Sequence, residues 1–346
     1  MPKLLFIVAL VTIGLYLLPS SFAAMKNTPL PAVTATAGPT AAVLSSAPDP
    51  QPEELGQVHW LRDLRAGQAE ANRSGRPLLV LFQEVPGCSN CTHFGNNTLS
   101  HPLIVEAVET HFVPVCIYNN QGGRDAEALK IFEEPAWNNP VVRIVRADYR
   151  DVVRRIPDFR TSLPLVNGLR RALDLTGAAV PRYVELLEEE LQARAAGLQT
   201  ATFSMSCFWT GEGTFGAIPG VIETAPGFQD GREVVRVTFD PAVVRRADLE
   251  ARTQPQGMRA CQKNAGFRPD NEPKYYLSKT NYRFVPMTSL QACRANSLVG
   301  QGQSPDGLLS PRQLALLQTM LAHPKRSWKD MIGRTDLAKA WAEIHP

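Results

Sequence analysis

The chain has few cysteines and few histidines, six of each in 346 residues. Six cysteines are too few for a disulfide scaffold in a chain this long. Only Cys88 and Cys91 are near neighbours; Cys116, Cys207, Cys261 and Cys293 stand alone. No second Cys-x-x-Cys and no pair of close histidines accompanies Cys88-Ser89-Asn90-Cys91, so a structural zinc site would be two ligands short. Covalent haem attachment needs His directly after the second Cys, and here Thr92 intervenes before His93. The formal net charge is only +3. The arginines are scattered in pairs such as Arg154-Arg155, Arg170-Arg171 and Arg245-Arg246, which suits solvated faces and not a nucleic-acid footprint. No internal repeat is apparent. The apolar run Leu4 to Leu18 is short for a membrane span.

That run has a definite context. Met1-Pro2-Lys3 gives a positive start, and Ser20-Ser21-Phe22-Ala23-Ala24 supplies small residues after the run. The order predicts a signal peptide over residues 1–24, with an uncleaved N-terminal membrane anchor as the alternative. Either reading puts the remainder in the periplasm or another extracytoplasmic compartment. Residues 25–52, rich in Pro, Ala, Thr and Ser and without apolar periodicity, read as a disordered tether. About 290 residues follow, enough for two domains, taken as 53–197 and 198–346. In an oxidising compartment isolated cysteines are either paired or kept reduced for chemistry.

In the first domain a helical stretch from Trp60 to Ala71 leads through Ser74-Gly75-Arg76-Pro77 into the short apolar run Leu78–Phe82, a buried strand. Cys88-Ser89-Asn90-Cys91 follows Val85-Pro86-Gly87, and the spacing predicts one helix from there to about Thr110. Phe112–Tyr118 and Val141–Val145 read as further buried strands, the last directly after Asn139-Pro140. A cysteine in a helix's first turn faces free backbone N–H groups and the positive end of the macrodipole, which favour thiolate. Two intervening residues let Cys91 reach back to close a disulfide. A purely structural disulfide is the alternative. Cys116, inside an apolar strand, reads as an inert core residue.

Residues 60 to 150 thus resemble the exported thioredoxin-like family, with Gly-Cys-x-x-Cys after an apolar strand. The usual aromatic residue before the first Cys is absent. The resemblance implies thiol–disulfide exchange at Cys88 and Cys91. It also implies that Pro140 faces the pair and, if its peptide bond is cis, leaves a carbonyl edge open to a substrate chain.

After a helix over Pro181–Ala196, Phe203 and Met205 alternate with smaller residues as a strand would, and a helix begins near Gly211. Gly220–Thr224 and Arg232–Asp240 read as strands. Cys207 falls at a strand-to-helix corner beside two aromatics. Cys207-Phe208-Trp209, Ile218-Pro219-Gly220-Val221, Gly227-Phe228 and Glu233 through Pro241 together resemble peptide methionine sulfoxide reductase A. The expected fold is therefore an α/β thioredoxin-like domain followed by an α+β domain of that family, with a helical C-terminal part over Leu308–Leu321 and Asp336–Ile344.

The second resemblance implies that the Cys207 thiolate attacks the sulfoxide sulfur and that Glu233 protonates the departing oxygen. Phe208 and Trp209 would form the apolar cup for the S-methyl group, and the Cys207 sulfenic acid would need a resolving thiol. Tyr275 and Tyr276 loosely match the family's second tyrosine motif. The departures are Ser206 and Thr210 where the family has Gly, Phe228 where it has a hydrogen-bonding Tyr, and a shorter loop before Glu233. Cys261 and Cys293 could resolve Cys207 or bond each other. No bound cofactor and no metal is expected; an external dithiol reductant is required. The expected partners are oxidised exported proteins or peptides and a membrane or periplasmic dithiol donor, with no nucleic acid. Three functions remain open: a methionine sulfoxide reductase recycled in cis by Cys88/Cys91, a general thiol–disulfide reductase or isomerase, and a non-catalytic disulfide-stabilised scaffold.

Overall fold

A computed structural model describes residues 51–157, 159–262, 265–334 and 336–344. The expected leader, and all of the expected tether but its last two residues, lie outside the described residues. Residues 49–346 cluster as one compact unit. Among the described residues, no helix is long and apolar enough to cross a membrane.

Asp63 starts helix α1 (Leu64–Ser74) by accepting from the N–H groups of Arg65 and Ala66, and Gly75, at φ 71°, ends it in the left-handed region. Strand β1 (Leu78–Gln83) is buried at every residue, because it lies between two neighbours and under two layers of helices. Helix α2 (Ser89–Asn97) follows. The single helix expected to about Thr110 is in fact two: Pro102 has no N–H to continue the ladder and instead opens α3 (Pro102–His111). Strand β2 (Val113–Tyr118) then runs parallel to β1, with Leu81 opposite Cys116. Helix α4 (Arg124–Phe132) leads on to β3 (Val141–Val145), antiparallel on the other side of β1. Helix α5 (Leu163–Thr176) was not anticipated. It buries Leu165, Val166, Leu169, Ala172 and Leu173, the stripe of an amphipathic helix. With α6 (Arg182–Ala196) and α3 it covers one face of the sheet, while α1 and α4 cover the other.

The second sheet is antiparallel, in the order β7-β4-β6-β5-β8. Strand β4 (Gln199–Ser204) leads into α7 (Phe208–Gly216). Strands β5 (Val221–Gln229) and β6 (Arg232–Phe239) are joined by the two-residue turn Asp230-Gly231, both at positive φ, the geometry that Asp-Gly favours in hairpins. Helix α8 (Arg246–Thr253), the short strands β7 (Arg259–Ala260) and β8 (Arg268–Pro269) and one helical turn α9 (Tyr275–Ser278) follow. Helices α10 (Ser289–Gly300), α11 (Pro311–Ala322) and α12 (Leu337–Ile344) complete the chain. Thr288 and Ser310 cap α10 and α11 in reciprocal bonds with Gln291 and Gln313.

The two halves are joined through buried and half-buried groups. Glu190 of α6 accepts from Leu290 N at 3.0 Å, Glu106 of α3 accepts from Arg312 N at 2.7 Å, and Arg294 donates to Glu189. Leu337 of α12 packs into the core of the first sheet.

Candidate active sites

Cys88 is the N-cap of α2 and is exposed; Cys91, one turn on, is fully buried. Their sulfurs are 3.7 Å apart. Buried Gln83 fixes this turn by donating to the carbonyls of Glu54 and Cys91, and Gly87 N donates to Glu54 Oε1. Partial burial opposes ionisation of Cys88, but the N–H groups of Cys91 and Asn90 outweigh it and hold the thiol below its ordinary pKa. Desolvation, with the Cys88 sulfur beside it, pushes Cys91 up to about 12. The pair is therefore asymmetric, with an exposed thiol of lowered pKa and a sheltered second thiol.

Cys91 Sγ donates to Asn139 Oδ1 at 2.9 Å, and the Asn139–Pro140 bond is cis. Pro140 itself is buried. Two residues beside the pair escaped the sequence reading. Asn139 contacts Cys91 directly. The Glu84 carboxylate and the two sulfurs lie within 4.8 Å of one another. The available signal for Glu84 was a carboxylate directly after an apolar strand, four positions before Cys88. Cys116 is buried in β2, where desolvation raises its thiol pKa.

Cys207 is the N-cap of α7 and half-buried. Phe208 N, in the first turn, donates to Glu233 Oε2 at 2.8 Å, so the expected acid sits at the same helix end as the expected nucleophile. Phe208 is buried and meets the rings of Trp209 and Phe228 edge-on at 5.6 and 5.4 Å. Trp209 stacks on Tyr275 at 3.8 Å, with 12° between the planes. Tyr276 instead packs towards Gly213 of α7 and Gly300 of α10, where the absence of a Cβ at Gly300 makes room for its ring. Phe208, Trp209, Phe228 and Tyr275 thus form an aromatic set beside Cys207, and Tyr276 wedges helices behind it. Ser206 and Thr210, the residues that replace the family's glycines, are exposed.

A buried ion pair anchors this aromatic set. Lys274 Nζ lies 3.1 Å from Glu212 Oε1, and Glu212 Oε2 accepts from Lys274 N at 2.8 Å. Lys274 also donates to the Thr224 carbonyl. The pair ties the residue before Tyr275 to α7. The sequence offered no signal for it, since the partners are far apart in the chain.

Cys261 and Cys293 do not meet. Cys261 N bonds Thr202 O, beside the register pair Phe203–Ala260, so Cys261 belongs to the Thr202 face of the sheet. Cys293 packs on the opposite face with Phe203 and Val237, close to Gly216 at the far end of α7. All six cysteines are free. The Cys261–Cys293 staple that the sequence left open is corrected by this placement. Gly216 is about 13.5 Å along α7 from Cys207, and Cys293 is fully buried beside it. Cys261 is half-buried on the other face of the sheet.

A family model described as thioredoxin-like matches residues 59–147. The chain is also similar to peptide methionine sulfoxide reductase MsrA 2 of Rhizobium meliloti (strain 1021), 45% identical over a 74-residue alignment that covers 17% of this chain and 37% of that protein. Peptide methionine sulfoxide reductase MsrA of Rhodospirillum centenum is 40% identical over 86 residues, 18% of this chain and 39% of its own. The protein of the same name from Salmonella heidelberg is 37% identical over 71 residues, 16% and 34%. The chain spans little more than a third of the length of these curated relatives. Together the matches support a thiol oxidoreductase.

Proposed function

We propose that this protein is an exported methionine sulfoxide reductase that carries its own reductant. The observation that carries the proposal is the corner at Cys207, where a half-buried thiol, the Glu233 carboxylate bonded to Phe208 N and an aromatic set surround one helix end. The Cys207 thiolate attacks the sulfoxide sulfur, and Glu233 delivers a proton to the departing oxygen. The protonated oxygen passes from the substrate sulfur to the Cys207 sulfur as the transient sulfur–sulfur bond breaks, releasing methionine and leaving Cys207 as a sulfenic acid. The Cys88 thiolate displaces water from it to form a mixed disulfide. Cys91 then attacks Cys88, freeing Cys207 as a thiol and leaving a Cys88–Cys91 disulfide for an extracytoplasmic dithiol donor to reduce. The resolving thiol assigned here is Cys88, the exposed member of the dithiol, which must reach Cys207 from the other half of the chain. Fusion raises the local concentration of that reductant.

A second reading is favoured by one observation. Phe228 presents no hydroxyl to a sulfoxide oxygen, and a lost donor of this kind costs on the order of a hundredfold in rate. Under that reading the protein is a thiol–disulfide reductase or isomerase whose second half binds substrate.

The deciding test is turnover of a methionine sulfoxide peptide with dithiothreitol by the parent, Cys207→Ser and Cys88→Ser. Loss in Cys207→Ser alone supports the sulfoxide reductase. Unchanged turnover in Cys207→Ser refutes it. No turnover in the parent, with insulin disulfide reduction that depends on Cys88, selects the second reading.

A further inference from the structure

The environment of the reduced dithiol suits a ligand that neither resemblance supplies. Two thiolates bound at about 2.3 Å by one tetrahedral zinc ion are about 3.8 Å apart, and a thiolate and a carboxylate oxygen on that ion about 3.6 Å apart. Cys88 Sγ and Cys91 Sγ are 3.7 Å apart. Glu84 brings a carboxylate oxygen within 4.8 Å of both sulfurs, so a side-chain shift of at most about 1.2 Å reaches that spacing. Asn139 Oδ1, 2.9 Å from Cys91 Sγ, is a neutral oxygen at the same place. Cys88 is exposed and gives an ion a way in. Gln83 and Glu54 hold the turn that presents both sulfurs, so the ligands are fixed before the ion arrives.

We propose that Glu84, Cys88 and Cys91 form a site for a thiophilic divalent cation of filled d shell, zinc being the ion whose bond lengths match. The fourth position falls to water or to Asn139 Oδ1. The sequence held out no zinc site because it lacks a second cysteine pair or paired histidines; the fold supplies a carboxylate instead. Binding expels the two thiol protons and transfers no electron. Both sulfurs are then engaged as thiolates on the metal, so the loaded protein cannot close its disulfide or attack a substrate. The ion and the disulfide are alternative occupants of one site. This inference stands apart from the sulfoxide reading, needing only that Cys88 and Cys91 be reduced.

The test is a zinc titration of the full chain, reduced with a phosphine and competed against a chromophoric chelator. One ion per chain is expected, with none after oxidation to the disulfide. Cys88→Ser should abolish binding and Cys261→Ser should leave it unchanged. Glu84→Gln should weaken it at least about tenfold, while Glu53→Gln, a nearby surface carboxylate, should not. Equal affinity in the parent and Glu84→Gln, or binding that survives in Cys88→Ser, overturns the proposal. X-ray absorption at the zinc edge of the parent complex gives a readout independent of any variant's folding. Two sulfurs with oxygen neighbours are expected; four sulfurs, or none, would refute the site.

Discussion

Phe208 and Glu233, distant in sequence, are joined by a 2.8 Å hydrogen bond from the backbone N–H of one to the carboxylate of the other. The bond fixes the carboxylate at the N-terminal end of α7, where Cys207 is the cap. Glu233→Gln keeps the shape and the acceptor oxygen but removes the exchangeable proton. Turnover of a methionine sulfoxide peptide should fall about a hundredfold or more, while circular dichroism and thermal unfolding stay at parental values. Parental turnover would remove Glu233 from the chemistry.

Cys88 and Cys91 should be chemically unequal. The N–H groups of Cys91 and Asn90 outweigh partial burial at Cys88, whereas desolvation pushes Cys91 up to about 12. Limited alkylation of the reduced protein at pH 7, read by peptide mass spectrometry, should mark Cys88 well ahead of Cys91. As the pH is raised towards 9, Cys91 should stay slow and Cys88 should remain the faster of the two. Equal labelling would contradict the asymmetry.

The Lys274–Glu212 pair is buried, and removing one member leaves the other as an uncompensated charge. Lys274→Met should destabilise the protein by about 3–5 kcal/mol in urea unfolding. The double variant Lys274→Met with Glu212→Leu should recover part of that loss. Because Lys274 precedes Tyr275, which stacks on Trp209, the single variant should also raise KM for the sulfoxide peptide.

His101 gives the protein an acid-sensitive joint. It lines a cavity between the halves with Glu190, Arg194, Glu223 and Asp336, and its Nδ1 is buried without a partner. Burial pushes its pKa down to about 4, with Glu190 and Asp336 opposing. The folded state therefore binds this proton less readily than the unfolded chain, whose histidine titrates near 6.5. Stability from this residue is complete above about 6.5 and is lost as pH falls towards 4. From pH 7 to 5 the loss should be roughly 1–2 kcal/mol, and His101→Gln should flatten that part of the urea-unfolding profile. An unchanged slope would refute the assignment.

What was legible in the sequence was what local chemistry decides. Leu78–Phe82 and Val141–Val145 are runs of apolar residues bounded by turns, and they can be little else but buried strands. Cys88 and Cys207 each precede a helix that their own neighbours start, so their places at helix N-termini follow from sequence alone. Even there a local rule was missed: Pro102 splits the expected long helix. Only the tertiary structure could decide which distant groups meet. Strand alternation puts Cys261 on one face of the second sheet and helix α10 packs Cys293 against the other, although sequence separation alone permitted a bond between them. The approach of Glu84 and Asn139 to one dithiol, and of Lys274 to Glu212, depends on strand order and on helices packed across it. The physical reason is the same in each case. Periodicity and capping act over one or two turns of chain, whereas the energy of a buried charge or thiol is set by neighbours that the fold brings from elsewhere.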